Sequence, residues 1–258
     1  MRSVLFCLLM AVSTPLGAQS VPDLIARADS LHDALKPMDA LAACKDALAV
    51  APGEYQVLWR AAQSQIDIAK QIRGEHEYTV GVRDSVYDVA IDFAHQAIAA
   101  DSNGAEGWTM LAIAMGQRAR TKGGRDRVRD GKAIYDAAAR ALELDSTQDG
   151  AHHVLGAWNA EVLRLSGVTR FFAKTFMGGG YMDRANWDSA AAEMQQAIRY
   201  RPNYIFHHLE LARIYQDMHR PADAIAQLEM IPSLPTTDVL DAQYREEAAA
   251  LLEELRST

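Results

Sequence analysis

The chain has 258 residues, 49% hydrophobic and 23% charged, a composition that folds in water and supplies a real core. Its net charge of −8 excludes a protein that binds nucleic acid through its overall charge. Alanine is abundant while proline and glycine are modest, which favours helix.

The first 18 residues are predicted to be a secretory signal. Arg2 supplies a short positive region, and residues 4–12 form an apolar core well short of the ~20 residues that span a bilayer. Pro15 breaks the helix, and Leu16-Gly17-Ala18 places small residues before Gln19. Cleavage is expected near Ala18, with residues 19–258 released into the periplasm or secreted and no transmembrane helix in the mature chain. Cys7 lies inside the apolar core rather than at its end, which excludes a lipoprotein signal. Cys44 is then the single remaining cysteine. It makes no internal disulfide and no cysteine-based zinc site, and is expected to be a buried packing residue.

Four segments, ALAVAP, AIAADS, ALELDS and AIRYRP, begin at Ala47, Ala97, Ala141 and Ala197. Each ends in a turn-forming Pro or Ser, at Pro52, Ser102, Ser146 and Pro202. Fifteen residues after each starting alanine comes another small residue: Ala62, Ala112, Gly156 and Ala212. Small side chains at a fixed offset let paired antiparallel helices approach closely. The pattern resembles the tetratricopeptide repeat, a helix–turn–helix of 34 residues. It predicts an all-α fold: a right-handed superhelix of helical hairpins forming one solenoid domain. Five units are expected, at about residues 21–54, 55–104, 105–148, 149–204 and 205–238.

The starting alanines lie 50, 44 and 56 residues apart rather than 34. Because the offset across each inter-unit turn is constant, the surplus lies between the first and second helices of a unit. The first and last units keep a 12-residue step, from Ala28 to Ala40 and from Ala212 to Ala224. The middle three therefore carry insertions of 16, 10 and 22 residues. Such turns share one edge of a solenoid, so the insertions are expected to crowd together there and to carry the function.

The longest insertion belongs to residues 152–187. An apolar stripe at Leu155, Trp158, Val162, Leu165, Val168, Phe172 and Phe176 predicts one continuous helix, stopped by Gly178-Gly179-Gly180. Phe171 widens the stripe. Residues 239–256 then read as an amphipathic capping helix, with Leu240, Tyr244, Ala248, Leu251 and Leu255 on one face, set off by Pro232 and Pro235.

The run Ala151-His152-His153-Val154-Leu155-Gly156-Ala157-Trp158, continuing through Glu161-Val162 to Phe171-Phe172, resembles the regulator-of-microtubule-dynamics family and its bacterial relatives. The resemblance covers roughly residue 90 to the C-terminus. It implies an all-helical interaction module, with eukaryotic members associated with membranes and organelle contacts, and it supplies no catalytic residues. The expected cleavable signal and the lack of a second hydrophobic anchor argue against a microtubule role for this chain.

Few residues offer chemistry. His152 and His208 occupy the same position of successive units within the pairs His152-His153 and His207-His208. Neighbours on a helix point about 100° apart, so neither pair chelates as a unit; one histidine of each is expected at a helix interface and the other facing out. Glu75-His76-Glu77 lacks the second histidine of a zinc-protease motif, since Val80 stands there, and is expected to be a solvated loop. No nucleophile elbow, phosphate loop or paired-carboxylate signature is found, so neither an enzyme nor a cofactor or metal is expected. Arg118, Arg120, Lys122, Arg125, Arg127, Arg129 and Lys132 face only Asp126 and Asp130 within their stretch, which marks an anion contact or a solvated helix extension. Phe171, Phe172 and Phe176 together present about 450–750 Å² of apolar surface, more than a monomer usually leaves open. They are expected to pack against the insertion holding Ile66, Ile68, Ile72, Tyr78 and Val80, or against a ligand between the two. Candidate binding residues are thus Trp158, Phe171, Phe172, Phe176, His153, Arg118, Arg120 and Arg125. Two functions fit: a scaffold for an unidentified protein partner, or a carrier of an apolar ligand such as a lipid at the inserted edge.

Overall fold

The computed structural model describes residues 20–121, 124–167, 170 and 179–257, with the side chains of 124–128 outside that description. The expected signal, residues 1–18, therefore lies outside the described residues. Helices α1 (Val21–Asp33) and α2 (Pro37–Val50) form the first hairpin, and α3 (Tyr55–Gln71) and α4 (Glu77–Ala100) the second. Then come α5 (Ala105–Ala119) with α6 (Gly124–Leu144), and α7 (Asp149–Arg164) with α8 (Trp187–Tyr200). The last hairpin is α9 (Ile205–Asp217) with α10 (Pro221–Met230), and α11 (Asp241–Ser257) follows. No strand occurs among the described residues.

Local chemistry sets the helix starts. Ser20 and Asp23 cap α1 reciprocally: Ser20 Oγ accepts from the Asp23 amide at 3.3 Å, and the Asp23 carboxylate accepts from the Ser20 amide. Pro37 and Pro221 open α2 and α10, where a missing N–H costs nothing. Asn186 caps α8 by accepting from the Ser189 amide at 2.7 Å.

Packing follows the repeat arithmetic. Ala47, Ala62, Ala97, Ala112, Ala141, Ala197 and Ala212 are all fully buried where helices cross. At Gly156 an added Cβ would sit 3.1 Å from the Ala190 carbonyl oxygen and 3.2 Å from the Met194 amide, so α7 lies nearly against α8. Cys44 is buried in the first unit among Leu24, Ala28, Leu41 and Val57, and burial pushes its thiol up to about 11. Leu240, Tyr244 and Ala248 of the final helical segment are buried, with Leu251 and Leu255 packed beside them, covering the apolar face of the last hairpin.

The two unexpanded hairpins turn in the same way. Leu35 and His219 both adopt left-handed backbone, with φ of 57° and 56°. Lys36 N donates to Leu31 O, and Arg220 N donates to Tyr215 O, both at 2.8–2.9 Å and both closing a Schellman-type helix end. The expanded units differ from expectation. The 16 inserted residues of the second unit do not stand apart as an edge. They lengthen α3 to 17 residues and α4 to 24, joined by a short link through Gly74 at φ +122°. The third unit likewise lengthens α6 to 21 residues.

In the fourth unit the helix expected to run to Phe176 stops at Arg164. Leu165 is extended, at φ −59° and ψ 137°, and beyond it Arg170 N donates to Ser166 O. The Arg170 guanidinium donates to the Leu163 and Leu165 carbonyls, satisfying the open end of α7. The stripe hid this break, although Ser166-Gly167 is itself a capping and helix-weakening pair. A 3-10 turn, Gly179–Arg184, then leads into α8.

Candidate binding groove

The first helices of successive hairpins (α1, α3, α5, α7 and α9) line a cavity of about 620 Å³. Inserted residues contribute part of its wall: Lys70 from the second unit, Arg120 from the third, and Val162, Leu165, Tyr181 and Met182 from the fourth, beside Ile66, Asp67 and Gly131 of the basic repeat. Described residues of all three insertions thus take part in lining the groove. Trp158 anchors the apolar wall at 7% exposure. Its indole N–H donates to the Gly131 carbonyl at 2.8 Å, and its ring lies 4.8 Å from Tyr135 and 5.9 Å from Tyr181. The indole is therefore held in one orientation, with its polar atom already satisfied.

One side of the groove is closed by a buried ionic cluster joining residues 168 positions apart. Lys70 Nζ donates to Asp67 Oδ1 at 2.9 Å and to Asp238 Oδ2 at 2.8 Å. Asp238 also accepts from the Tyr204 hydroxyl at 2.9 Å and from the Leu240 amide at 2.9 Å. Asp241 accepts from the Thr237 and Asp238 amides, fixing the segment that carries Asp238. His32 lies 3.3 Å from Asp67. Burial works against the Asp67 charge, but Lys70 and His32 outweigh it and hold the carboxyl at about 2. Burial likewise opposes the Lys70 charge, and Asp67, Tyr204 and Asp238 outweigh it and hold the ammonium well above its usual range. The sequence offered one signal for this cluster: Asp67 and Lys70 interrupt an otherwise apolar stretch at Ile66, Ile68 and Ala69.

The histidines divide into two roles, and neither pair has a member facing freely outward as expected. His152 joins Glu193 through Nδ1 at 2.7 Å and the Ser146 carbonyl through Nε2 at 3.0 Å. His208 repeats this with Gln227 at 2.9 Å and the Pro202 carbonyl at 2.9 Å. Each ties its own hairpin to the preceding turn. His153 and His207 instead meet each other in the groove, Nδ1 to Nδ1 at 2.9 Å, and His207 Nε2 lies 3.1 Å from Asp149 Oδ2. His207 is 1% exposed, and burial pulls its imidazole below the usual range despite Asp149. Burial, His207, Arg120 and Lys70 together push His153 well below it. Burial pushes the Asp149 carboxyl up, but His207, Arg201 and the Gly150 amide together outweigh it and hold the carboxyl below its usual range. No cluster of three or more metal-ligating side chains occurs among the described residues.

Three members of the basic stretch are paired with acids, on neighbouring helices for Arg118 and on their own helix for Arg129 and Lys132. Arg118 pairs with Asp88 and, at 3.8 Å, with Asp130; Arg129 pairs with Asp130 at 3.1 Å; Lys132 pairs with Asp136. Arg120 has no ion pair among the described residues and lines the groove. Of the residues singled out in the sequence, the structure thus brings His153, Trp158 and Arg120 to one groove and leaves Arg118 beside it. The side chains of Arg125, Phe171, Phe172 and Phe176 lie outside the described residues, as does the contact expected between the phenylalanines and the second-unit insertion. Of that insertion, Ile66 is buried while Tyr78 is 84% exposed. Glu75, His76 and Glu77 are exposed.

A stack of helical hairpins with a walled groove defines a helical-repeat scaffold. The chain belongs to the family of regulator of microtubule dynamics proteins 1–3, whose model matches residues 24–256. It is 24% identical over 200 residues to regulator of microtubule dynamics protein 1 of Bos taurus, covering 77% of this chain. It spans about three fifths, 61%, of that relative's length. Among solved structures, a thermophilic TPR protein of Thermus thermophilus aligns at TM-score 0.63 and 16% identity, covering 90% of this chain and all of that one. PilF of Pseudomonas aeruginosa aligns at TM-score 0.52 and 12% identity over 92% of this chain and 90% of its own. At these identities the likeness shows the tetratricopeptide fold alone.

Proposed function

We propose that the protein is a binding scaffold whose groove holds an extended segment of a partner protein, and that it works in the periplasm or outside the cell. One observation carries the reading. Glu106 and Arg120, at opposite ends of α5, both line the groove. Fourteen helical steps at 1.5 Å separate them by ~21 Å, which spans about six residues of extended chain at ~3.3 Å each. Along that length α5 lines the groove with apolar Met110 and Ile113 and polar Thr109 and Gln117, and α7 adds Trp158 and His153. A peptide, with side chains and backbone amides in succession, matches such a wall. The location rests on the order of charged, apolar and small residues before Gln19.

Ala157 lines the groove one residue before Trp158 and is only half-buried, so Ala157→Trp fills the space without disturbing a packed helix crossing. A displayed library of random ten-residue peptides should yield binders to the wild type that lose at least tenfold in affinity on Ala157→Trp. Failure to select any peptide, or binders indifferent to that change, overturns the reading. A second reading, an apolar ligand, draws on the cavity volume, which falls in the ~300–1,000 Å³ range of small-molecule sites. Mass spectrometry of organic extracts of the purified protein separates the two: a stoichiometric apolar molecule favours the carrier.

A further inference from the structure

The Asp149–His207–His153 chain fixes the positions of its protons. Asp149 is ionised near neutral pH and accepts only, so the group 3.1 Å away, His207 Nε2, carries the hydrogen and donates. A neutral His207 then has a bare Nδ1. The 2.9 Å contact requires a donor opposite it, so His153 Nδ1 carries its hydrogen and donates to His207 Nδ1. A neutral His153 has one N–H, already used, which leaves Nε2 as an open lone pair. Nε2 of His153 makes no hydrogen bond to any described residue, and the side chain lines the groove, half-buried. Phe206 packs against the ring at a centroid distance of 4.8 Å, holding its plane.

We infer that His153 Nε2 is a fixed hydrogen-bond acceptor for the segment bound in the groove, and that the segment meets it with a neutral N–H or O–H. This rests on the peptide reading above and specifies what the peptide must supply. Two features select the donor. Lys70 and Arg120 bear on His153 with positive charge, which disfavours an ammonium or guanidinium at the same point. An acceptor that a bound segment covers and leaves without a partner is costly, so a segment presenting only apolar atoms there is rejected. The donor is a backbone amide or a Ser, Thr or Tyr hydroxyl.

The test uses peptides taken from the display selection. Each backbone amide is N-methylated in turn, each hydroxyl residue is changed to Ala, and affinities are measured against wild type and His153→Phe. One donor should stand out: its removal weakens wild-type binding about tenfold and has no effect on His153→Phe, which itself binds the parent peptide about tenfold more weakly. N-methylation carrying the effect identifies a backbone amide, and the Ala change identifies a hydroxyl. Ring nitrogen NMR of the ¹⁵N-histidine wild-type protein gives a readout independent of any variant. Nε2 of His153 should be unprotonated at pH 7 and should shift toward the hydrogen-bonded range on peptide addition. Peptides that bind with no donor coupled to His153, or an Nε2 that carries the proton, overturn the inference and leave the groove reading standing. Failure of the selection to give any binder overturns both.

Discussion

Replacing Lys70 by Met tests whether the groove is held closed by ionic pairing rather than by packing alone. Methionine keeps most of the side-chain volume and removes the one cation that Asp67 and Asp238 share. Both carboxylates are at most a tenth exposed, so each loses a partner inside the protein. Breaking a buried pair from one side costs about 3–5 kcal/mol, chiefly as the penalty of the charge left behind. Asp67 retains His32, and Asp238 retains the Tyr204 hydroxyl and the Leu240 amide, so the low end, about 3 kcal/mol, is expected. For a chain of this size that corresponds to a melting temperature lower by roughly 6–12 °C. Urea unfolding followed by far-ultraviolet circular dichroism at pH 7 gives the free energy, and an unchanged slope against urea certifies a stability effect. Adding Asp238→Asn to Lys70→Met should recover 1 kcal/mol or more, roughly, because the stranded charge is removed. The deficit of Lys70→Met should also narrow below about pH 4. The stability that the wild type draws from the depressed Asp67 carboxyl is complete above 3.8 and is lost as pH falls toward about 2. A deficit under about 1 kcal/mol, or strict additivity in the double change, refutes the ionic closure.

Three further outcomes follow from the same structure. Trp158→Ala should cost about 3–5 kcal/mol in urea unfolding, since it removes a buried ring and strands the Gly131 carbonyl. His219→Gly should stabilise by about 1 kcal/mol in thermal melts, because His219 is exposed and sits at φ 56°, where a Cβ is penalised. Stability should fall as pH drops below about 6.5, because the unfolded chain then binds protons that the neutral, half-buried His153 and buried His207 refuse. Each contributes a slope of at most ~1.4 kcal/mol per pH unit, so His153→Phe should flatten the fall measured between pH 6.5 and 5.5. His152 has the opposite sign. Glu193 raises it against burial, and its contribution, full below 6.5, is lost as pH rises through its folded value.

The hairpins were legible because helical crossings require small residues at fixed intervals. Ala47 with Ala62 and Ala197 with Ala212 gave the inter-unit turns from arithmetic alone, and all four are fully buried. The cap was legible for a similar reason, one apolar face at helical period. The fate of the insertions was not. Spacing counts inserted residues but does not say whether they continue a helix, as in α3 and α4, or leave it, as after Arg164. A continuous apolar stripe through Leu165 concealed a break that Ser166-Gly167 signals only when weighed against the periodicity. The groove was legible only in part. Trp158 and His153 stood out by residue type, but the value of His153 lies in His207 and Asp149 from neighbouring repeats. The Lys70–Asp238 pair depends on the curvature of the whole stack, which no local pattern encodes.

The claim that the concave groove is the binding surface is tested most directly by methyl NMR of ¹³C-methionine protein with a nitroxide-labelled peptide from the selection. Met110 and Met182 line the groove, whereas Met38 and Met230, 66% and 47% exposed, do not. The peptide should broaden the methyl signals of Met110 and Met182 and leave those of Met38 and Met230 sharp. Broadening of Met38 or Met230 with Met110 and Met182 unaffected would place the peptide on the outer surface and contradict the account.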